Sequence, residues 1–182
     1  MTNALHADAV RTLTGWRTGD SGQEALRHGF LAFLAAREDG CLRSCAPGHL
    51  TASALVVDAD AENVLLTLHP RVGRWLQLGG HCEPEDDSLV GAALREATEE
   101  SGIAGLEIDP TPLQLDVHPI TCSLGVPTRH LDVRFLVRAP FGAAAVRSDE
   151  SLDLQWWPVD QLPSNVDTVP ELVRLALAQI AR

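Results

Sequence analysis

Apolar positions recur along the chain in two periods. Leu26, Phe30, Phe33 and Leu34 fall on one face at helical spacing, and Gly40 closes that run. Ahead of it Ser21 and Glu24 have the capping-box spacing, with the serine as N-cap. The period then shortens. Residues 51–57 (TASALVV) and 63–69 (NVLLTLH) read as strands joined by a short acidic loop, a hairpin-like pair. A turn around Gly73 leads to a brief third strand at 75–78, which runs into Gly79 and Gly80. Residues 87–101 return to the helical period, and Gly102 ends them. Residues 113–118 and 130–138 alternate as strands around a Gly/Pro loop, and 152–157 form a last strand. Thr168 and Glu171, a second capping-box spacing, open a C-terminal helix to Ile180. Strands mixed with helices in this order predict an α/β fold, a mixed sheet covered by helices. The helical residues 1–46 are expected to be an extension whose apolar face packs on a core domain at 47–182.

Composition narrows the classes of function. A chain of 182 residues with 45% hydrophobic and 21% charged residues is an ordinary globular domain. All 14 basic residues are arginine, and the net charge is −11. So acidic a chain is a poor general partner for nucleic acid or an anionic membrane. An anionic substrate would need a cation between itself and the protein. No apolar run approaches the roughly 18 residues of a membrane span. Residues 1–17 lack the apolar core of a secretory signal. Cys41, Cys45, Cys82 and Cys122 are too few and too scattered for a disulfide scaffold. The expected setting is the reduced cytoplasm.

Candidate chemistry concentrates in residues 80–103, GHCEPEDDSLVGAALREATEESGI. On a helix, Glu96, Glu99 and Glu100 share about one third of the circumference, beside an apolar strip of Val90, Ala93, Leu94 and Ala97. Three carboxylates so placed repel one another unless a cation relieves them. Oxygen ligands with water positions left open suit Mg²⁺ or Mn²⁺. Gly79 and Gly80 allow the backbone to approach such an ion closely. Arg95 can pair with a loop acid, Asp86 or Asp87, and lock the loop to the helix. The plain alternative is a solvated acidic helix face.

This stretch resembles the Nudix box, in which glycine, five residues, glutamate and seven residues precede Arg-Glu-U-x-Glu-Glu-x-Gly-U, U being bulky and apolar. Residues 95–103 follow the second half, with Ala97 small for a U position. The first half departs: Asp87 lies eight residues before Arg95, where the family has glutamate, and Gly80 is then one residue too distant unless the loop aligns on Asp86. The resemblance spans about residues 50–160 and includes Trp157-Pro158 at the end of the last strand. It implies a Nudix-type α/β/α sandwich with a mixed sheet and a hydrolase that cleaves the diphosphate bond of a nucleoside diphosphate linked to another moiety, with Mg²⁺ or Mn²⁺. By position Glu96, Glu99, Glu100 and the Gly79 carbonyl would bind metal; Glu99, Glu100 and Arg95 would serve catalysis, with Glu150 as a candidate base from a loop. Alternatives are a nucleotide-sensing Nudix-fold regulator without hydrolysis and an isoprenoid-diphosphate isomerase. The intact glutamates speak against the first, and the second lacks an evident catalytic cysteine outside the box.

Further candidates come from alternation. Gln114, Asp116 and His118 share one face of a strand, as do His130, Asp132 and Arg134 of the next. These polar faces are expected to wall a substrate pocket, with Arg134 as the foremost phosphate or base contact and His130 beside it. Asp132 can instead pair with Arg134 along the strand. Arg74 is a candidate phosphate contact and Trp75 a candidate base-stacking ring. Cys41-x3-Cys45-x3-His49 has loose zinc-ligand spacing, which His81 or Cys82 could extend; ordinary loop thiols are the simpler reading. The partner expected is a small-molecule diphosphate, not nucleic acid or a membrane. Should the chain assemble, a homodimer is the expected form.

Overall fold

A computed structural model describes residues 4–121, 125–149 and 151–182. The elements run α1 (Ala4–Gly15), α2 (Ser21–Ala36), β1 (His49–Val57), β2 (Asn63–Leu68), β3 (Trp75–Leu76), β4 (Leu78–His81), α3 (Leu89–Ser101), β5 (Glu107–Ile108), β6 (Gln114–Thr121), β7 (Pro127–Arg138), β8 (Asp153–Pro158) and α4 (Val169–Ile180). The strands form one mixed sheet around β1 and β7, which lie parallel over the whole of β1. The other edge of β1 takes β4 along its first half and β2 along its second, both antiparallel. The other edge of β7 takes β6 and then β5. Strand β8 pairs with β2.

Helices cover both faces. Even-numbered β1 residues and odd-numbered β7 residues face one way: Leu50, Ala52, Val133 and Phe135 pack with Leu5, Ala9 and Leu13 of α1, Phe30 and Leu34 of α2, and Leu89, Ala92 and Ala93 of α3. The same layer continues through Ala54, Val56 and Val137 to Ala97. On the opposite face Leu55, Val57 and Leu136 pack against Val169, Leu172, Val173 and Ala176 of α4. The apolar cover of this second face ends there: His49, Thr51 and Ser53 of β1 and His130, Asp132 and Arg134 of β7 continue it as a buried polar region. Helices α1 and α2 thus sit on the sheet through fully buried side chains.

The ends of elements shift from the sequence expectation for local reasons. The N-cap of α2 is Asp20, not Ser21; its carboxylate accepts the Gln23 N–H at 2.8 Å, and Glu24 accepts the N–H of Thr18 at 3.1 Å. A carboxylate one residue upstream captures the orphan amide more strongly than a hydroxyl. The helix stops at Ala36, before Gly40. Thr168 does not cap α4 with its side chain, because its hydroxyl accepts from Arg134 instead. The third strand expected at 75–78 is split into β3 and β4, which pair with different neighbours, β2 and β1. Trp156 and Trp157 point into opposite layers.

Candidate active site

Small residues let α3 lie close to the sheet. Its buried positions are Leu89, Ala92, Ala93, Ala97 and Ser101, which places Glu96 and Glu100 against the glycines of β4 and leaves Glu99 exposed beside Arg95. Ser88 caps the helix by accepting the Gly91 N–H at 3.0 Å. Asp8 of α1 accepts the Leu89 N–H at 2.9 Å, so the N-terminal segment supplies a second cap, and its negative charge suits a helix N-terminus. Gly79 has φ of 139°, and a Cβ there would sit 2.5 Å from the Ser53 Cα. A Cβ on Gly80 would lie 2.7 Å from Oε2 of Glu96. The missing side chain is what lets the Glu96 carboxylate rest on this strand. Glu100 Oε2 accepts the Gly79 N–H at 3.0 Å. Glu96 is nearly buried, at 12% exposure, and Glu99 is open, at 60%.

Arg95 holds this assembly together. Its Nε and Nη2 donate to the two oxygens of Asp86 at 3.1 and 2.9 Å. Its Nη1 reaches Glu96 and Glu99 at 3.0 and 3.1 Å, and Nη2 also donates to the His81 carbonyl at 3.0 Å. The loop acid is therefore Asp86; Asp87 is exposed. With Asp86 in that role, the glycine-to-acid spacing from Gly80 is the family's own, and the extra residue lies between Asp86 and Arg95. Burial pushes the Asp86 carboxyl up, but the Arg95 guanidinium and the Glu83 N–H outweigh it and hold it below its ordinary value. Asp86 in turn raises Arg95, so the pair stays ionised. The donors beside the glycines are carboxylate oxygens: Glu96 fills the space of the absent Gly80 Cβ, and Glu100 meets the Gly79 N–H. That set fits a hard divalent cation.

The polar face across β1, β6 and β7 is a closed network. Asp116 and Asp132 are cross-strand partners, as are Gln114 and Arg134. Arg134 donates through Nε to Asp132 at 2.9 Å, through Nη1 to Gln114 and Thr168 at 2.8 and 2.9 Å, and through Nη2 to Asp116 at 2.9 Å. Asp132 also accepts from the hydroxyls of Thr51 and Ser53 at 2.9 and 2.7 Å. The Arg134 side chain is only 4% exposed. The guanidinium expected to contact phosphate is here taken up by these side chains, and the pairing with Asp132 along the strand is present.

His130 lies on the same face but belongs to a different group. It stands opposite His49 in the parallel ladder, and both rings meet that of His81, with centroids 5.0–5.1 Å apart. Burial, with repulsion from His130 as the next cause, pushes His81 down to about 3; burial, with His49 next, pushes His130 down to about 4. Burial also lowers His49. All three are neutral near pH 7.

The remaining candidates are placed apart. Arg74 is exposed and pairs with Asp167 at 2.7 Å. Trp75, the candidate stacking ring, is partly buried and meets Trp157 edge-on at 5.4 Å in the layer beneath α4. Glu150 and Cys122 lie outside the described residues. Cys41, Cys45 and Cys82 are buried free thiols, and burial pushes Cys82 far above its ordinary value, which does not suit a nucleophile. The sequence grouping of His49 with Cys41 and Cys45 gives way to a grouping with His81 and His130. The parallel pairing of β1 with β7 that creates it has no local signal in the sequence. Nor has Asp8, 81 residues from the amide it caps. No helix among the described residues is long and apolar enough to cross a membrane.

Comparison with known proteins agrees with this arrangement. The NUDIX domain family model matches residues 47–176. No curated protein sequence matches the chain. Among solved structures, a C. elegans Ap4A hydrolase is 21% identical, with 72% of this chain and 97% of that one covered and a TM-score of 0.56. The E. coli dihydroneopterin triphosphate pyrophosphohydrolase is 19% identical over 73% and 96%, with a TM-score of 0.56. The NUDIX domain of Shewanella oneidensis NrtR, complexed with ADP ribose, is 23% identical over 72% and 87%, with a TM-score of 0.52. At these identities the structural likeness carries the fold, and the family model, covering most of the chain, carries the membership. The chain belongs to the NUDIX family and is a Nudix hydrolase, an enzyme that hydrolyses diphosphate bonds.

Proposed function

We propose that the protein is a Mg²⁺- or Mn²⁺-dependent diphosphatase acting on a small nucleoside diphosphate derivative. The observation that carries this reading is the meeting of α3 with the glycine strand: Glu96 against Gly80, Glu100 on the Gly79 N–H, and Glu99 open beside them. Glu96, Glu99, Glu100 and the Gly79 carbonyl would hold the cation. When bound, such a cation neutralises diphosphate charge and makes water more acidic. The chain's own residues do the rest. Gly79 fixes the orientation of Glu100 through its N–H. Arg95 ties Glu96, Glu99 and Asp86 into one rigid unit, so the carboxylates are preorganised. Glu99, the most exposed of the three, can accept a proton from water. Residues 1–46 act as a packed extension that caps α3 through Asp8.

The test is a cleavage screen with Mg²⁺ over nucleotide derivatives, read by chromatographic separation of the products and comparing wild type with Glu99→Gln. The panel begins with Ap4A and ADP-ribose, the compounds named with two of the structural neighbours. Cleavage that requires the added cation, stops with chelator and falls in the variant supports the reading. A substrate cleaved equally well by Glu99→Gln, or in the presence of chelator, overturns it. Binding without cleavage across the panel would favour the nucleotide sensor.

A further inference from the structure

We propose that His49, His81 and His130 form a second metal site, for a transition metal of the zinc class, separate from the carboxylates of α3. Three strands bring the imidazoles together: His49 opens β1, His130 is its partner in β7, and His81 ends β4 beside β1. The ring centroids form a near-equilateral triangle of 5.0–5.1 Å sides. One ring nitrogen from each residue lies within 4.8 Å of the other two. Tetrahedral ligands at about 2.0–2.1 Å from zinc stand about 3.3 Å apart, so small ring rotations close the site.

A second observation points to a ligand. His49 and His130 are 1% and 9% exposed, and Nε2 of each is buried with no hydrogen-bond partner. Orphaned polar atoms of this kind cost stability when nothing satisfies them. Here two lie in one cluster. The Nδ1 of His49 faces the Cys45 carbonyl at 3.5 Å, which leaves Nε2 as the coordinating end and supplies the outer contact that ligating histidines favour.

The ligand chemistry selects the metal. Neutral imidazole nitrogens suit Zn²⁺, Co²⁺, Ni²⁺ or Cu²⁺ and are poor ligands for Mg²⁺. The charge of Arg43 acts on all three rings and that of Arg71 on His81, which favours an anion as the fourth ligand. His118, whose ring is 5.3 Å from that of His130, is engaged through Nδ1 with Asp116. Three protein ligands with one position open is the arrangement of catalytic rather than structural zinc sites. The two sites lie on opposite faces of β4: Gly80 faces Glu96, and His81 turns to the other side.

The experiment is calorimetric titration of chelator-treated full-length protein with Zn²⁺, with Mg²⁺ in excess throughout. The expected result is one equivalent bound by wild type and by a Glu96→Gln, Glu100→Gln double variant. His81→Gln and His130→Gln are each expected to weaken binding by at least about 100-fold, beyond the loss of an outer-shell partner. Circular dichroism confirms that each variant is folded. Should a histidine variant fail to fold, wild type is titrated with Co²⁺; intense visible absorption of a tetrahedral site supports the proposal, and its absence overturns it. Absence of Zn²⁺ binding by wild type, unchanged binding by folded histidine variants, or binding lost only in the glutamate variant also overturns it.

Discussion

Arg95 and Arg134 each bind two or more carboxylates, yet they serve different ends. Arg134 is 4% exposed, and its guanidinium is shared among Asp132, Asp116, Gln114 and Thr168. Arg95 is 27% exposed and braces Asp86, Glu96 and Glu99 at the edge of the glycine strand. The first pins β6, β7 and the start of α4 to one another around the buried Asp132. The second gathers acids that remain open to a ligand. What separates the two is Glu99, 60% exposed, and the guanidinium itself, 27% exposed against 4%: a buried ion pair must satisfy its lone pairs internally, whereas an exposed acid leaves some for a cation.

That contrast breaks most visibly at Arg134. Arg134→Ala removes the cation from two acids, and Asp132 is as buried as the arginine. The expected loss is about 3–5 kcal/mol of stability, the scale for stranding one half of a buried pair. Denaturant unfolding measures it, and KM of the folded fraction should stay at the wild-type value. A raised KM with near-normal stability would return Arg134 to the substrate pocket.

On the open side the sensitive observable is turnover. Glu100→Gln keeps an oxygen to accept the Gly79 N–H but loses the charge. Turnover with Mg²⁺ should fall by at least about two orders of magnitude, the effect of removing a strong electrostatic contribution. The unfolding midpoint should barely move. A Glu100→Gln variant that turns over normally would show that the acids beside Arg95 are only a solvated helix face.

The sequence made one of these arginines legible and not the other. Glu96, Glu99, Glu100 and Arg95 lie within one helix, where a fixed period states which side chains are neighbours, and the glycines that receive them are close in the chain. The partners of Arg134 come from β6, β7 and α4, so alternation placed it on a polar face but could not show that the face closes on itself. Asp86 and Asp87 were equivalent by position until the loop was folded. The capping-box spacing singled out Ser21, whereas Asp20, one residue earlier, is the side chain that reaches the Gln23 N–H. The histidine cluster needed the parallel pairing of β1 with β7, which depends on the whole topology.

Asp8 tests whether the N-terminal segment contributes to the open side. Its carboxylate caps the first amide of α3, and an N-cap carboxylate contributes typically about 1 kcal/mol. Asp8→Ala should destabilise by about that amount in thermal unfolding, while Asp8→Asn, which still accepts the N–H, should recover most of the loss. Equal effects from both would assign the contribution to charge on the helix dipole and not to the hydrogen bond.

The finest distinction is between adjacent acids. Asp86 makes a two-point contact with Arg95 and also accepts the Glu83 N–H at 2.8 Å, so it fixes both the helix side chain and the start of its own loop. Asp87 is exposed. Arg95 keeps Glu96, Glu99 and the His81 carbonyl when Asp86 is removed, so the fold should survive Asp86→Ala with a loss of about 1 kcal/mol, near the upper end for a partly exposed ion pair. The catalytic cost should be larger than the structural one, because the Nε and Nη2 donors released from Asp86 can add to the Nη1 contacts with Glu96 and Glu99 and compete with the cation for their oxygens. We expect kcat/KM to fall by about tenfold, with partial recovery at higher Mg²⁺, since the competition is between two positive charges for one pair of carboxylates. Asp87→Ala should change stability by no more than about 0.5 kcal/mol and leave the Mg²⁺ dependence untouched. If the two variants instead behave alike, Arg95 is not restrained by the loop. Its likeness to Arg134 as a multiply bonded hub would then stop at geometry.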